Sequence, residues 1–481
     1  MLARVKPCLH ERSNIKLQAV LCIAMLVCGC LLFTSKLHAS DFSTTASVSH
    51  NKANISDYEH QPHQLQDDTT KPSEPSLNPS WQVWVSTTAQ FIDALASAPD
   101  YSEIHLNKGL YLGQFTISRP LTLIGHLAEV DAQGSGSAIT VAASKVSISG
   151  LSIRNWGNDL YTKNAGILVR EGSDNLKVFD NQLSGPGFGV YAEKVAKIRV
   201  CHNRIEGDDS AFMLDRGDGV HLLRATDPKV QHNHITHVRD GVYLESGTGS
   251  LVNHNYFAAL QYGVHYMYTQ DDVGRDNTAK DVVGGYALMS SKQIKLHHNK
   301  VSRASEFGVL LNMTNDAYIE YNSIAQIMPK DPSDDDLFSQ GKGMFIYASQ
   351  NNHIKANKIA DSQVGIALAL GGESNKVYLN QFLHNQTQVR YIGESRVEWS
   401  EDHQGNYWSD YRGLDLNGDG IGDTAHVPND KLDRLFWLYP EAQFLMGSPV
   451  VQVLKWLDSQ FQNLDNNGVV DRYPLLNAGL Q

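Results

Sequence analysis

Glu245, His265, Met267 and Met289 come to one patch of surface if the chain winds with a period near 22 residues. Two thioethers, an imidazole and a carboxylate are soft and borderline donors, a set that selects Cu(I) over magnesium or calcium. The plainer reading is that Met and its aromatic neighbours cover an outer face beneath a loop or a partner. No sequential motif such as His-x-x-x-His accompanies them. A second column holds His202, His232, His254, Asp276 and His298, one per winding. Imidazoles about 4.8 Å apart could share a metal, but polar filler is ordinary at turns. Asp218 and Asp240, with Glu245 near, could form the acid/base pair of a lyase, hydrolase or epimerase acting on uronate polymers. Asp-Gly is also common turn chemistry, and no local run of Arg and Lys accompanies it to bind acidic sugars. Asp415, Asn417, Asp419 and Asp423 follow the oxygen spacing of an EF-hand-type calcium loop, with Gly420 at its sixth position. His426 replaces the closing Glu.

The winding itself is written in two independent series. Gly followed by an apolar residue recurs at Gly166, Gly189, Gly219, Gly241, Gly263, Gly285, Gly308, Gly343 and Gly365. Asn recurs in step at Asn181, Asn203, Asn233, Asn255, Asn277, Asn299, Asn322, Asn357 and Asn380. Each series advances by 22 or 23 residues except for steps of 30 and 35, which locate insertions near 206–217 and at Met328–Lys342. Short alternating runs punctuated by Gly and Asn are strands joined by tight turns. The Leu-x-x-Leu-x-Leu frame of a leucine-rich repeat is missing, so the repeat predicts an all-β fold: a right-handed parallel β-helix of about 22 residues per coil. Stacked Asn side chains then hydrogen-bond along the stack and satisfy turn backbone groups. After each ladder Gly the first and third residues are apolar and point inward; the second and fourth point outward. That register is what gathers Glu245, His265, Met267 and Met289. Glu103–Leu106, Leu121–Ile124 and Val146–Ile148 form the opening coils, capped by a helix over Thr88–Ala96.

Composition bounds the rest. The chain has 481 residues, 41% hydrophobic and 19% charged, with formal net charge −12, which argues against a nucleic-acid partner. Of its 5 cysteines only Cys201 lies beyond the first thirty residues, which excludes a disulfide framework. Arg4, Lys6, Arg12 and Lys16 precede an apolar run, Leu17–Phe33, and Leu37-His38-Ala39 offers a cleavage site. Residues 1–39 therefore read as a signal peptide, with an uncleaved anchor or lipidation at Cys30 as alternatives. Residues 40–80 read as a flexible linker, 81–400 as the β-helix and 401–481 as a C-terminal capping segment. In the last, Ser448-Pro449 opens a helix with Val450, Val453, Leu454, Leu457 and Phe461 on one face.

Specific segments carry a resemblance. Asp240–Glu245, Tyr262–Tyr268, Gly285–Met289, Gly405–Tyr411, Leu435–Pro440 and the helix at Ser448 together resemble the NosD family, periplasmic maturation proteins of nitrous-oxide reductase. The resemblance runs from about residue 85 to 477, with one departure at Ser290, where the family usually has Tyr. It implies a periplasmic accessory protein, not an enzyme, that works with the ATPase and permease of an ABC transporter to assemble the reductase's copper-sulfur site. A periplasmic copper donor is a further implied partner. The motifs coincide with the outward patch, so the resemblance also implies copper at Glu245, His265, Met267 and Met289.

Overall fold

The computed structural model describes residues 81–331, 340–372, 374–391, 393, 395–429, 448–453 and 468–478, all within the unit Glu74–Gln481. The expected signal peptide and linker, Asp334–Asp336, Leu435–Pro440, Leu454, Leu457 and Phe461 lie outside the described residues.

The repeat folds as expected, into a parallel β-helix of about 14 turns. A typical coil carries three short strands, as in Lys177–Phe179, Gln182–Ser184 and Phe188–Glu193. Each pairs in parallel with its counterpart one coil on, so three sheets run the length of the stack. A three-residue strand presents one side chain inward. Val178, Val200, Val230 and Val252 are thus aligned in register and almost fully buried. Burying such a side chain contributes about 1.5–3 kcal/mol.

Between the first and second sheets the chain turns through a left-handed residue. His202, His232, His254, Asp276 and His298 all sit there, with φ between 54 and 57°. The following Asn forms the rung. Asn277 is representative: its Nδ2 donates to the Val252 carbonyl (2.9 Å) and to Asn299 Oδ1 (3.0 Å), while its Oδ1 accepts from the Asn255 backbone N–H (2.9 Å). Asn277 lacks the preceding apolar residue of its peers because Gly274 stands where they have a large side chain. The Tyr266 ring fills that space, its hydroxyl 2.6 Å from where a Gly274 Cβ would lie. The ladder continues one rung beyond Asn380, to Asn406.

The ladder glycines have a different cause from a turn. A Cβ on Gly241 would lie 2.5 Å from the Gly263 carbonyl oxygen, and Gly285 meets Gly308 in the same way. Successive coils approach too closely there for any side chain.

Both ends are closed. Helix α1, Thr88–Ser97, is fixed by a reciprocal cap, Thr87 Oγ1 accepting from Gln90 N and Gln90 Oε1 accepting from Ser86 N. It buries Phe91 against Tyr111 and Phe115. At the far end, Gly468–Val470 pairs in parallel with Arg396–Glu398. Asp471 Oδ2 then accepts from Asn406 N (2.7 Å) and Trp408 Nε1 (2.8 Å), terminating the ladder with a carboxylate. Burial pushes that carboxyl up to about 6, against the lowering effect of its hydrogen bonds. Ser448 caps the next turn through Oγ to Val451 N (3.3 Å). Contrary to the expected face, Val450 and Val453 are exposed and Val451 is buried, so the first turn packs through a position one step round from the sequence pattern.

Candidate metal site

The third sheet carries the patch, on β1 (Val220–Leu223), β2 (Asp240–Glu245), β3 (Tyr262–Met267), β4 (Thr278–Met289) and β5 (Lys300–Asn312). Register is as expected: Leu223, Glu245, Met267, Met289 and Asn312 form one column, and His221, Tyr243, His265, Ala287 and Leu310 the next. Adjacent strands are about 4.8 Å apart, so Met267 has Glu245 on one side and Met289 on the other, with His265 two residues back on the same face.

His265 is held in one orientation. Asp240 Oδ2 lies 3.0 Å from its Nδ1, and the Tyr243 and Tyr262 rings pack edge-on against it at 4.7 and 5.4 Å. With the carboxylate accepting from Nδ1–H, Nε2 presents its lone pair. That atom is buried and has no hydrogen-bond partner among the described residues. A carboxylate behind an imidazole whose other nitrogen is unspent is the outer-shell arrangement of histidine metal ligands. Both tyrosine hydroxyls are pushed up by burial and stay protonated.

The outward face is less open than the alternating pattern implies. Ala287, Phe307, Leu310, Phe345, Val364 and Ala367 form a second apolar cluster, with Met289 packed against its edge. Met289 therefore stands at the border between a polar half and an apolar half of this face, and serves packing as well as any ligand role.

Sequence reasoning placed the acidic residues but missed their task. Asp218 is fully buried; Arg239 Nε and Nη2 donate to its two oxygens at 2.9 and 2.8 Å, and His221 Nδ1 lies 2.8 Å away. Burial alone would raise this carboxyl, but His221 and Arg239 more than offset it and hold it below the ordinary range. Asp240 goes the other way, raised by burial and by the neighbouring Asp218 charge against the pull of His265. Both carboxylates are buried, Asp218 against Arg239 and His221 and Asp240 against His265, so the pair orients imidazoles. Arg239 was not singled out, although it directly precedes Asp240. The signal was the spacing Asp218-x-x-His221, which joins a buried turn carboxylate to an outward imidazole.

The remaining candidates resolve differently. His202 and His232 stack at 4.8 Å with planes 1° apart, and His232 and His254 at 4.7 Å and 16°. Imidazole lone pairs lie in the ring plane, so stacked rings do not converge on one ion. Asp415 is spent on the backbone, accepting from Gly418 N, Asp419 N and Gly420 N; Asp423 accepts from Leu416 N. Among the described residues no group of three or more His, Cys, Asp or Glu side chains gathers as a metal site. Calcium thus has no support here. Burial pushes the Cys201 thiol up to about 11, which removes it as a thiolate ligand near neutrality.

On this β-solenoid the buried Asp218 and Asp240 are paired with Arg239, His221 and His265, and His265 stands oriented beside Met267. Residues 201–413 match the family model described as periplasmic copper-binding protein (NosD). A "probable ABC transporter binding protein NosD" of Stutzerimonas stutzeri is 38% identical over 391 residues, covering 80% of this chain and 90% of the relative. Its namesake in Pseudomonas aeruginosa (PAO1) is 39% identical over 378 residues, covering 77% and 87%. The chain belongs to the NosD family. Among solved structures it is similar to the A-module of mannuronan C-5 epimerase AlgE6 of Azotobacter vinelandii, at 13% identity and TM-score 0.49, covering 67% of this chain and 98% of that one. An alginate lyase of Paenibacillus sp. FPU-7 gives 14% and 0.42, covering 50% and 94%. At such identities and scores nothing of their activity transfers. Among the described residues no helix is long and apolar enough to cross a membrane.

Proposed function

We propose that this chain is a periplasmic accessory protein that takes Cu(I) as cargo on the third sheet and works with an ABC transporter to supply the copper-sulfur site of nitrous-oxide reductase. The observation that carries the reading is the His265 imidazole, held at Nδ1 by Asp240 with Nε2 buried and without a hydrogen-bond partner among the described residues, two positions before Met267, which is in register with Met289. The family model's description supports copper and the periplasm, and the relatives' names support the transporter; the reductase as client rests on the family resemblance. Met267 and Met289 are soft donors and His265 a borderline one, with Glu245 as the one carboxylate, and no thiolate stands among them. Such a set suits a cargo that must leave again better than a permanent cofactor. Residues 1–39 would export the chain, 40–80 would tether it, and 401–481 would cap the β-helix of 81–400.

Anaerobic Cu(I) titration of the wild type against His265→Ala/Met267→Ala/Met289→Ala tests this. The wild type is expected to bind about one Cu(I) that the triple variant lacks. Equal stoichiometry, with both proteins folded by circular dichroism, overturns the site.

A further inference from the structure

A second feature lies on a different sheet and involves none of the residues above. The first sheet of the early coils carries a groove of about 790 Å³ lined by Lys145, Lys177, Lys197, Arg199 and Lys229. Asp227 is the one carboxylate in its lining. This is a concentrated positive field on a chain whose formal charge is −12.

The solenoid explains how it arises and why the sequence hides it. Ser147, Lys177, Arg199 and Lys229 are in register on four successive coils, each next to an inward valine or isoleucine that fixes the cation outward. Lys145 and Lys197 stand at left-handed turn positions (φ 59 and 57°), where neighbouring coils use Asn175 and Asp227. Lysine gains nothing locally from that conformation, whereas Asn and Asp do. In sequence the column Lys177, Arg199 and Lys229 is spaced by a full coil and only Lys197 and Arg199 are close together, so no basic run appears. In space, with strands about 4.8 Å apart, they line a strip about 14 Å long, three coil steps.

We propose that this groove docks an extended acidic segment of a partner protein. A strip of that length matches about four residues of extended chain, at about 3.3 Å each. Five cations against one carboxylate supply the complementary charge, which acts mainly on encounter rate and specificity. The groove is concave, which a flat bilayer does not fill. Its one aromatic ring, Tyr101, has the Lys145 ammonium 5.8 Å from its centroid, so one ring face is already met by a cation. The proposal is independent of the copper reading, since the groove and the third-sheet patch share no residue.

The test uses the full chain and a fluorescein-labelled peptide of about eight glutamates, followed by anisotropy at about 50 and 300 mM salt. Parallel arms use phosphatidylglycerol vesicles and an oligouronate carrying the same number of charges. Wild type is expected to bind the peptide more tightly than either alternative. Lys177→Glu/Arg199→Glu/Lys229→Glu is expected to weaken the peptide by at least about tenfold, and higher salt to weaken it similarly. Lys295→Glu/Lys300→Glu/Lys358→Glu makes the same charge change elsewhere and is expected to shift binding less than about threefold. Equal losses in the two variants overturn the proposal, as does tighter binding of vesicles or oligouronate than of peptide. Cu(I) stoichiometry measured on the groove variant is expected to stay that of wild type, which separates failure here from failure of the copper site.

Discussion

Replacing Asn277 by Ala tests whether the Asn ladder holds the coils together. Asn277 is fully buried and makes four side-chain bonds across coils: Oδ1 accepts from Asn255 N (2.9 Å) and Asn255 Nδ2 (3.0 Å), and Nδ2 donates to the Val252 carbonyl (2.9 Å) and to Asn299 Oδ1 (3.0 Å). Truncation leaves the Asn255 amide without its acceptor in a place water does not reach, costing about 1–3 kcal/mol. The two Nδ2 bonds add about 1 kcal/mol each. The expected loss is therefore about 3–5 kcal/mol, a large share of the ~5–15 kcal/mol that holds a typical domain. Equilibrium urea unfolding followed by tryptophan fluorescence measures it, with Asn158→Ala as control because that residue is exposed, outside the ladder and not in a left-handed conformation. The control is expected to cost under about 0.5 kcal/mol. If Asn277→Ala also costs under about 1 kcal/mol with an unchanged urea slope, the rungs are not what satisfies the turns and the reasoning fails.

Other expectations follow from the same contacts. Asp240→Asn leaves His265 without its anionic orienting partner and is expected to weaken Cu(I) binding about 10- to 100-fold, read by competition with a Cu(I) chelator. Gly285→Ala drives a Cβ into the Gly308 carbonyl and the Val301 side chain, so thermal unfolding is expected to fall by several degrees. For pH, Asp272 and Asp471 are both raised to about 6 by burial, so the folded state holds their protons where the unfolded chain, near 3.8, has released them. Their contribution to stability is greatest below about pH 4 and declines as pH rises to about 6. His426, lowered to about 4 by burial, opposes this, since folding excludes its proton between about pH 4 and 6.5. With two carboxyls against one imidazole, Asp471→Asn is expected to flatten the fall in stability between pH 4 and 6, measured by urea midpoints; a midpoint curve identical to wild type counts against the buried charge.

Much of the fold was legible because a solenoid writes its geometry into spacing. The glycine and asparagine series each gave the coil length, and their shared long steps located the insertions. Register then followed without any long-range guess, and with it the neighbours of Met267. Two kinds of information were missing. The ladder's last rung, Asn406, and its terminator, Asp471, lie outside the period, one in a non-repeat motif and the other 65 residues further on. Nothing local marks such a pairing. The site was legible as a column of side chains but not as an environment: that Asp240 backs His265, that Arg239 neutralises Asp218, and that Met289 borders an apolar cluster all depend on which atoms burial leaves unpaired. The groove of Lys177, Arg199 and Lys229 illustrates the same limit, because a charge cluster assembled one residue per coil has no sequence signature.

The closure of the ladder by Asp471 bears on the order in which the molecule can be completed. A nascent chain delivers its N-terminal cap first, and each coil can lay down its rung on the one before. The face offered by Asn406 stays open, however, until Asp471, 65 residues later, arrives. Up to that point the growing end is a row of unpaired strand edges, able to template another copy as readily as its own continuation. A chain without Gly468–Asp471 would keep every rung up to Asn406 and leave that edge open.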